Sequence, residues 1–131
     1  MNRAELVKNI REIMSNAGFY VSDLYSMRPI GFDLIARRDN SLLIIKVLTN
    51  INALSENVAK ELIVLSELLN GHPLLIGERS GAGFLEGDVL YDRFGIQSIF
   101  RKLLKVIFLM GLHLKFMLLP AVFMLISTMK D

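Results

Sequence analysis

The fold of this chain is decided by the stretch Gly31-Phe-Asp-Leu-Ile-Ala-Arg-Arg38, Asp39-Asn40, Ser41-Leu-Leu-Ile-Ile-Lys-Val47. Two runs rich in branched apolar residues flank Asp39-Asn40, a pair of turn formers, and this order predicts an antiparallel β-hairpin. The run after the turn is almost continuously apolar and is broken by Lys46, which is typical of a strand covered on both faces. The stretch therefore predicts a hairpin whose second strand lies inside a sheet.

Helical patterns lie on both sides of this hairpin. Apolar residues recur at helical spacing over residues 3–17, and Gly18 follows as a stop signal. Ser55 is a candidate N-cap, and the leucine-rich pattern that follows it closes at Asn70-Gly71. Two amphipathic helices are therefore predicted.

Further strands are predicted at residues 19–25, 73–77 and 89–91, with a glycine-rich surface loop at residues 80–88. The second helix separates the hairpin from the strand at residues 73–77. An antiparallel start followed by a strand, a helix and another strand implies a mixed β-sheet with helices on its faces. The predicted fold class is therefore α/β.

Length and composition set limits on the class of protein. The 131 residues suffice for one domain of ordinary size, and the absence of cysteine excludes disulfides, thiolate zinc sites and cysteine nucleophiles. A chain without cysteine fits a reducing compartment, and the N-terminus has no signal-peptide pattern, so we expect a cytoplasmic protein. The net charge of +2 permits a nucleic-acid partner without requiring one.

The composition changes abruptly near residue 100. We predict a domain at residues 1–99 and an apolar helical tail at residues 100–131, in which the run 106–129 carries Lys115 as its single formal charge. That run is long enough to cross a membrane, but Lys115 near its middle costs roughly 3 kcal/mol on insertion. Two hypotheses therefore stand: a membrane segment that keeps the domain on the cytoplasmic side, or a frameshift near residue 100, which we favour.

Asp33 and Lys46 lie on the two strands of the hairpin and are expected to be near cross-strand partners. Hydrolysis of a phosphodiester with Mg²⁺ needs carboxylates that hold the ion and a lysine near the attacking water. Asp33 and Lys46 are therefore candidate catalytic residues, and Glu5 or Glu12 in the first helix is a candidate further metal ligand. The alternative is a structural role, with Asp33 supporting a strand edge and Lys46 extending from a buried strand.

A second candidate site consists of arginines that follow strands or turns. They are a weak candidate for a phosphate-facing, nucleic-acid-binding surface, and solvated structural charge is the alternative for each of them. The residues are Arg37, Arg38, Arg79 and Arg93.

The hairpin, the preceding Gly18-Phe-Tyr-Val21 and the leucine-rich second helix resemble the PD-(D/E)xK nucleases, such as archaeal Holliday-junction resolvases. The resemblance implies a restriction-endonuclease-like fold in which Asp33 and Lys46 match the metal-site aspartate and lysine. The acidic residue of that motif would stand at position 44, which is Ile44 here. Loss of this carboxylate leaves too little charge to hold Mg²⁺, so the resemblance implies a catalytically silent site that needs no cofactor.

A closer resemblance, over about residues 1–99, is to the N-terminal domain of archaeal helix-turn-helix transcriptional regulators. In that family a DNA-reading helix-turn-helix follows the nuclease-like domain, which implies DNA as a partner and a homodimer, with this domain acting in dimerisation or DNA-backbone contact. The alternatives are a Mg²⁺-dependent structure-selective endonuclease that uses Glu5 or Glu12 with Asp33 and Lys46, and a membrane-anchored domain. The phrases that carry the resemblance are Gly18-Phe-Tyr-Val-Ser-Asp-Leu-Tyr25, Phe32-Asp-Leu-Ile-Ala-Arg-Arg38, Leu42-Leu-Ile-Ile-Lys-Val-Leu-Thr-Asn-Ile51, Pro73-Leu-Leu-Ile-Gly-Glu-Arg79 and Tyr91-Asp-Arg-Phe-Gly-Ile96.

Overall fold

The computed structural model describes residues 2–23, 32–81, 83–84, 91–101 and 103–105 of the chain. The predicted strand residues 24, 25, 89 and 90, the loop residues 85–88 and the segment 106–129 lie outside this part. Within it the elements are α1 (Arg3–Asn16), β1 (Tyr20–Val21), β2 (Leu34–Arg38), β3 (Ser41–Val47), a 3-10 turn (Ile51–Ala53), α2 (Glu56–Leu68), β4 (His72–Gly77), β5 (Arg79–Ser80), β6 (Gly83–Phe84), β7 (Tyr91–Arg93) and β8 (Ile96–Phe100).

The main sheet has six strands in the order β1-β2-β3-β4-β8-β7. β1, β2 and β3 pair antiparallel, β3–β4 and β4–β8 pair parallel, and β7–β8 pairs antiparallel. The hairpin, the crossover through α2 and the mixed sheet are thus confirmed. The prediction of a loop at residues 80–88 is wrong for the first residues of that range, where β5 pairs with β6 in a small second sheet. Gly81 lies between these two strands with φ +61°, a conformation that glycine adopts easily.

The core lies on both faces of the sheet because the side chains of β3 alternate between them. Leu43, Ile45 and Val47 pack in one cluster with the buried side of α1. Ile44 packs in the other cluster with Ala59 and Leu62 of α2. The prediction that β3 is covered on both faces is therefore confirmed, and the sheet holds one helix against each side.

Both predicted helices begin at side-chain caps. The Asn2 Oδ1 accepts a hydrogen bond from the Glu5 N–H at 2.8 Å, and the Ser55 Oγ accepts one from the Val58 N–H at 3.2 Å. α2 ends before Asn70, which adopts φ +57°. These caps satisfy backbone donors that the first helical turn leaves free, which explains why the helices start where the sequence indicated.

The α1-side core continues beyond the predicted domain boundary at residue 99. Leu103 and Leu104 belong to the cluster that contains α1, with 1% and 0% of their surface exposed. The division of the chain into a domain and a tail stays a prediction. Within the described part of the chain no helix is long and apolar enough to cross a membrane.

Candidate nuclease-like site

Asp33 and Lys46 meet at the open end of the hairpin. In the pairing of β2 with β3, Leu34 lies opposite Ile45. Asp33 precedes Leu34 and Lys46 follows Ile45, so the two residues are neighbours across the hairpin. The Lys46 Nζ lies 3.7 Å from the Asp33 Oδ2. The expected proximity of these two side chains is confirmed, whereas their chemical role stays a prediction.

Each oxygen of the buried Asp33 carboxylate accepts a hydrogen bond from the protein. Its Oδ2 accepts a hydrogen bond from the Val47 N–H at 2.7 Å, and its Oδ1 accepts one from the Arg3 Nη2 at 2.5 Å. The Arg3 Nε donates in turn to the Val47 carbonyl oxygen at 3.3 Å. The Asp33 carboxylate therefore accepts the Val47 N–H in the way that a backbone carbonyl of a neighbouring strand would, just before β2 begins. Arg3 binds both Asp33 and the Val47 carbonyl, so the three residues form a hydrogen-bonded ring that connects α1 to the end of β3.

The residues around Asp33 do not fit a Mg²⁺ site. Two cations, Arg3 and Lys46, face one carboxylate, whereas a bound Mg²⁺ needs an excess of oxygen ligands and negative charge. Ile44 is fully buried in the α2-side core and supplies no oxygen. No three His, Cys, Asp or Glu side chains gather as a metal site would need anywhere in the described ranges.

The two glutamates proposed as further ligands lie apart from this ring. Glu5 is exposed in the first turn of α1, where the Asn2 Nδ2 donates to the Glu5 Oε1 at 3.2 Å. Glu12 is exposed two turns further along the same helix. The only cation that α1 is seen to bring to Asp33 within the described part is that of Arg3, so the helix supplies positive charge where a nuclease would need an acid.

Three of the four candidate arginines are divided between the two ends of the sheet. Arg37 and Arg38 pair with the first residues of β3, whereas Arg79 lies two positions after the last residue of β4. Because β3 and β4 run parallel, these positions lie at opposite ends. The structure therefore does not bring Arg37 and Arg38 together with Arg79, and the contact of any one of the four arginines with DNA stays a prediction.

Two of these arginines are also used inside the protein. The Arg38 Nη1 donates to the Ala17 carbonyl oxygen at 2.8 Å, at the end of α1, and its guanidinium lies 4.6 Å from the centre of the Phe19 ring. The Arg93 Nη2 donates to the Asn52 carbonyl oxygen at 3.1 Å. Arg37 and Arg79 are the more exposed pair, and Arg37 borders an open cleft of about 420 Å³.

The sequence interpretation missed Arg3 and a second ion pair. The Arg101 Nε lies 3.1 Å from the Glu78 Oε1, and the Arg101 Nη1 donates to the Asn9 Oδ1 at 3.0 Å. Both charged side chains are largely buried, so the pair ties α1 and the end of β4 to the residue after β8. Sequence separation hides these contacts, since Arg3 and Asp33 are 30 positions apart and Asn9 and Arg101 are 92 apart.

Comparison with protein families gives a match to a PD-(D/E)XK superfamily domain over residues 3–113. The matched range contains every described element from α1 to β8. The six-stranded mixed sheet with helices on both faces is the arrangement that this superfamily implies, so the predicted restriction-endonuclease-like fold class is confirmed.

Curated relatives carry the name "putative HTH-type transcriptional regulatory protein". The relative from Methanococcoides burtonii is 44% identical over 94 residues, which are 72% of this chain and 29% of the relative. Those from Methanoregula boonei and Archaeoglobus fulgidus are each 40% identical, over 76% and 73% of this chain, and each match covers 31% of the relative. The chain thus spans less than a third of the length of these relatives, and the resemblance to archaeal regulators is confirmed.

Proposed function

Because the chain belongs to the PD-(D/E)XK superfamily, we propose that it is a catalytically silent nuclease-like domain of an archaeal DNA-binding transcriptional regulator. The names of the curated relatives support a role in transcription regulation. The domain acts in dimerisation or in contact with the DNA backbone, and it works in the cytoplasm, where archaeal DNA is found. Sequence-specific reading of DNA belongs to other parts of such a regulator.

The observation that carries the proposal is the double engagement of Asp33. An aspartate that binds Mg²⁺ must direct oxygen lone pairs at the ion, and here each oxygen already accepts a hydrogen bond, one from the Val47 N–H and one from the cationic Arg3 guanidinium, whose charge opposes a metal ion. Ile44 removes the second carboxylate of the motif. What remains is a charge-assisted hydrogen-bond ring, which supports a structural role for the former metal residues.

A cleavage assay on the full chain tests the silent state. We expect no Mg²⁺- or Mn²⁺-dependent cleavage of linear or four-way-junction DNA, at protein concentrations at which a DNA-binding signal is present. Metal-dependent cleavage that disappears in Lys46→Met and in Asp33→Asn, but persists in Asp23→Ala, would establish the endonuclease alternative. Asp23 is a suitable control because it is fully exposed and lies 3.8 Å from Arg11 in a surface ion pair.

Contact with the DNA backbone is tested separately through the two more exposed arginines. Each phosphate contact removed lowers the dependence of the logarithm of affinity on the logarithm of salt concentration by about one. We expect Arg37→Ala or Arg79→Ala to lower this slope and to weaken binding equally for unrelated sequences. If neither slope changes, these arginines are solvated surface charge and the domain does not use them on DNA.

A further inference from the structure

The turn between β7 and β8 holds an exposed aromatic residue in an unfavourable backbone conformation. Phe94 has φ +52° and Gly95 has φ +84°, the pair of positive angles of a type I′ hairpin turn. Asn, Asp and Gly are preferred at the first of these positions, because a bulky side chain clashes in the left-handed region. Phe94 is nevertheless there, with 43% of its surface exposed. The Arg93 guanidinium lies 4.4 Å from the centre of the Phe94 ring on one side, and the exposed remainder of the ring is free to make a further contact.

The outer face of α2 presents further exposed apolar side chains. Val64 and Leu68 are 55% and 78% exposed and lie one helical turn apart, and Leu69 beside them is 45% exposed. The strained turn adjoins this helix, since a Cβ atom placed on Gly95 would lie 3.7 Å from the Ile63 Cδ1. We call the patch formed by Val64, Leu68 and Phe94 the α2 surface; Leu69, the C-cap residue of the helix, points away from it.

On one side of Val64 the charges beside this patch are complementary to a second copy of the same helix, whereas on the other side the exposed Glu61 comes near Leu68. Viewed along α2, Lys60 and Glu67 lie on one side of Val64, which is also the side of Ile63 and the strained turn. In a two-fold antiparallel pair centred on Val64, Lys60 comes opposite Glu67 of the partner subunit, and the symmetry repeats the contact. The opposed helix dipoles favour the same direction.

We propose that the α2 surface joins two copies of this chain in an antiparallel two-fold dimer, with Val64 at the dyad. The inference rests on the proposed role of the domain in dimerisation and names the surface that carries it. Apolar contact through Val64, Leu68 and Phe94 supplies the attraction, and the two Lys60–Glu67 pairs set the direction. A two-fold dimer also matches the two-fold symmetry of the palindromic sites that dimeric regulators bind.

Single-cysteine cross-linking tests the geometry, because the chain contains no cysteine of its own. Val64→Cys places the new thiols at the dyad, within disulfide reach for two packed helices. Asn57→Cys lies on the same exposed face, but in the antiparallel pair its two copies are about 21 Å apart. Tyr20→Cys is the matched control on β1, where Tyr20 is 83% exposed.

Under mild oxidation of the full chain, we expect disulfide-linked dimers from Val64→Cys and background amounts from the other two variants. Equal cross-linking by all three variants would overturn the α2 surface as the interface. Cross-linking by both Val64→Cys and Asn57→Cys, with Tyr20→Cys at background, would overturn the antiparallel direction in favour of a parallel one.

A charge exchange provides the second test, with sedimentation velocity of the full chain as the readout. We expect Lys60→Glu to raise the dimer dissociation constant by about tenfold, the size expected when two exposed charge pairs are lost together. Combining Lys60→Glu with Glu67→Lys restores it, and failure of this rescue contradicts the pairing. Glu56→Gln, which removes the partner of Lys60 within its own helix at 3.6 Å, leaves the dimer unchanged.

The two proposals fail in different ways in these experiments. A chain that stays monomeric at all concentrations overturns the α2 surface and leaves catalytic silence intact. Metal-dependent DNA cleavage by a preparation that cross-links through Val64→Cys overturns catalytic silence and leaves the dimer intact.

Discussion

Replacing Asp33 by alanine separates a structural carboxylate from a catalytic one. In this fold the side chain is 4% exposed, accepts hydrogen bonds from the Val47 N–H and the Arg3 guanidinium, and lies 3.7 Å from the Lys46 ammonium. Asp33→Ala leaves the Val47 amide without an acceptor at the end of β3 and leaves two cations without their shared anion. We therefore expect a marked loss of folding stability.

The size of the loss follows from burial. An unsatisfied buried N–H costs about 1–3 kcal/mol, and breaking a fully buried ion pair costs about 3–5 kcal/mol. The ion-pair contribution must be reduced, because the Arg3 and Lys46 side chains are 44% and 20% exposed and water can solvate them. We expect Asp33→Ala to cost about 3 kcal/mol. Asp33→Asn should cost less, since the amide oxygen can still accept from Val47.

Urea unfolding of the full chain, followed by far-ultraviolet circular dichroism, measures this loss. A change of about 3 kcal/mol lowers the midpoint by about 1–2 M for a domain of this size. Asp23→Ala, which removes an exposed carboxylate, should leave the midpoint unchanged. A midpoint for Asp33→Ala equal to or above that of the unmodified chain would refute the structural role, because removal of a functional carboxylate is often neutral or stabilising.

Two further substitutions test other parts of the fold. Phe94→Asn relieves about 1–2 kcal/mol of positive-φ strain and loses about 0.5–1 kcal/mol of contact with Arg93, so it should stabilise the monomer by about 0.5 kcal/mol while weakening self-association; a lower melting temperature under monomeric conditions would show that the Arg93 contact outweighs the strain. Leu104→Ala should cost about 3 kcal/mol in chemical denaturation, because Leu104 is fully buried in the α1-side core, whereas a cost near zero would place the edge of the folded domain before it.

Local patterns predicted the elements whose signals lie close together in the chain. The hairpin followed from Asp39-Asn40 between two apolar runs, and Asp39 indeed adopts φ +53°. α2 followed from Ser55 and a regular apolar spacing. β8 was missed because the turn that precedes it contains Phe94 in place of the expected Asn or Asp, so the strongest hairpin signal was absent.

The candidate site was predictable only in part. Asp33 and Lys46 lie on paired strands, and strand register brings them together whatever the rest of the fold does. Arg3 reaches them from a helix whose position depends on packing against the whole sheet, so no spacing rule could have indicated it. The same dependence on tertiary structure explains why Arg37 and Arg38 lie at one end of the sheet and Arg79 at the other.

The hydrogen bond from Val47 to Asp33 has a consequence for how such chains change over evolutionary time. A side chain that completes a strand is under selection for folding, so a domain that has lost its metal chemistry still has a reason to keep this aspartate. Genome searches for an aspartate and a lysine at this spacing will therefore return inactive domains together with enzymes. We expect the side chain at position 44 and the residue that faces the aspartate from the first helix to separate the two groups better than the aspartate and lysine alone.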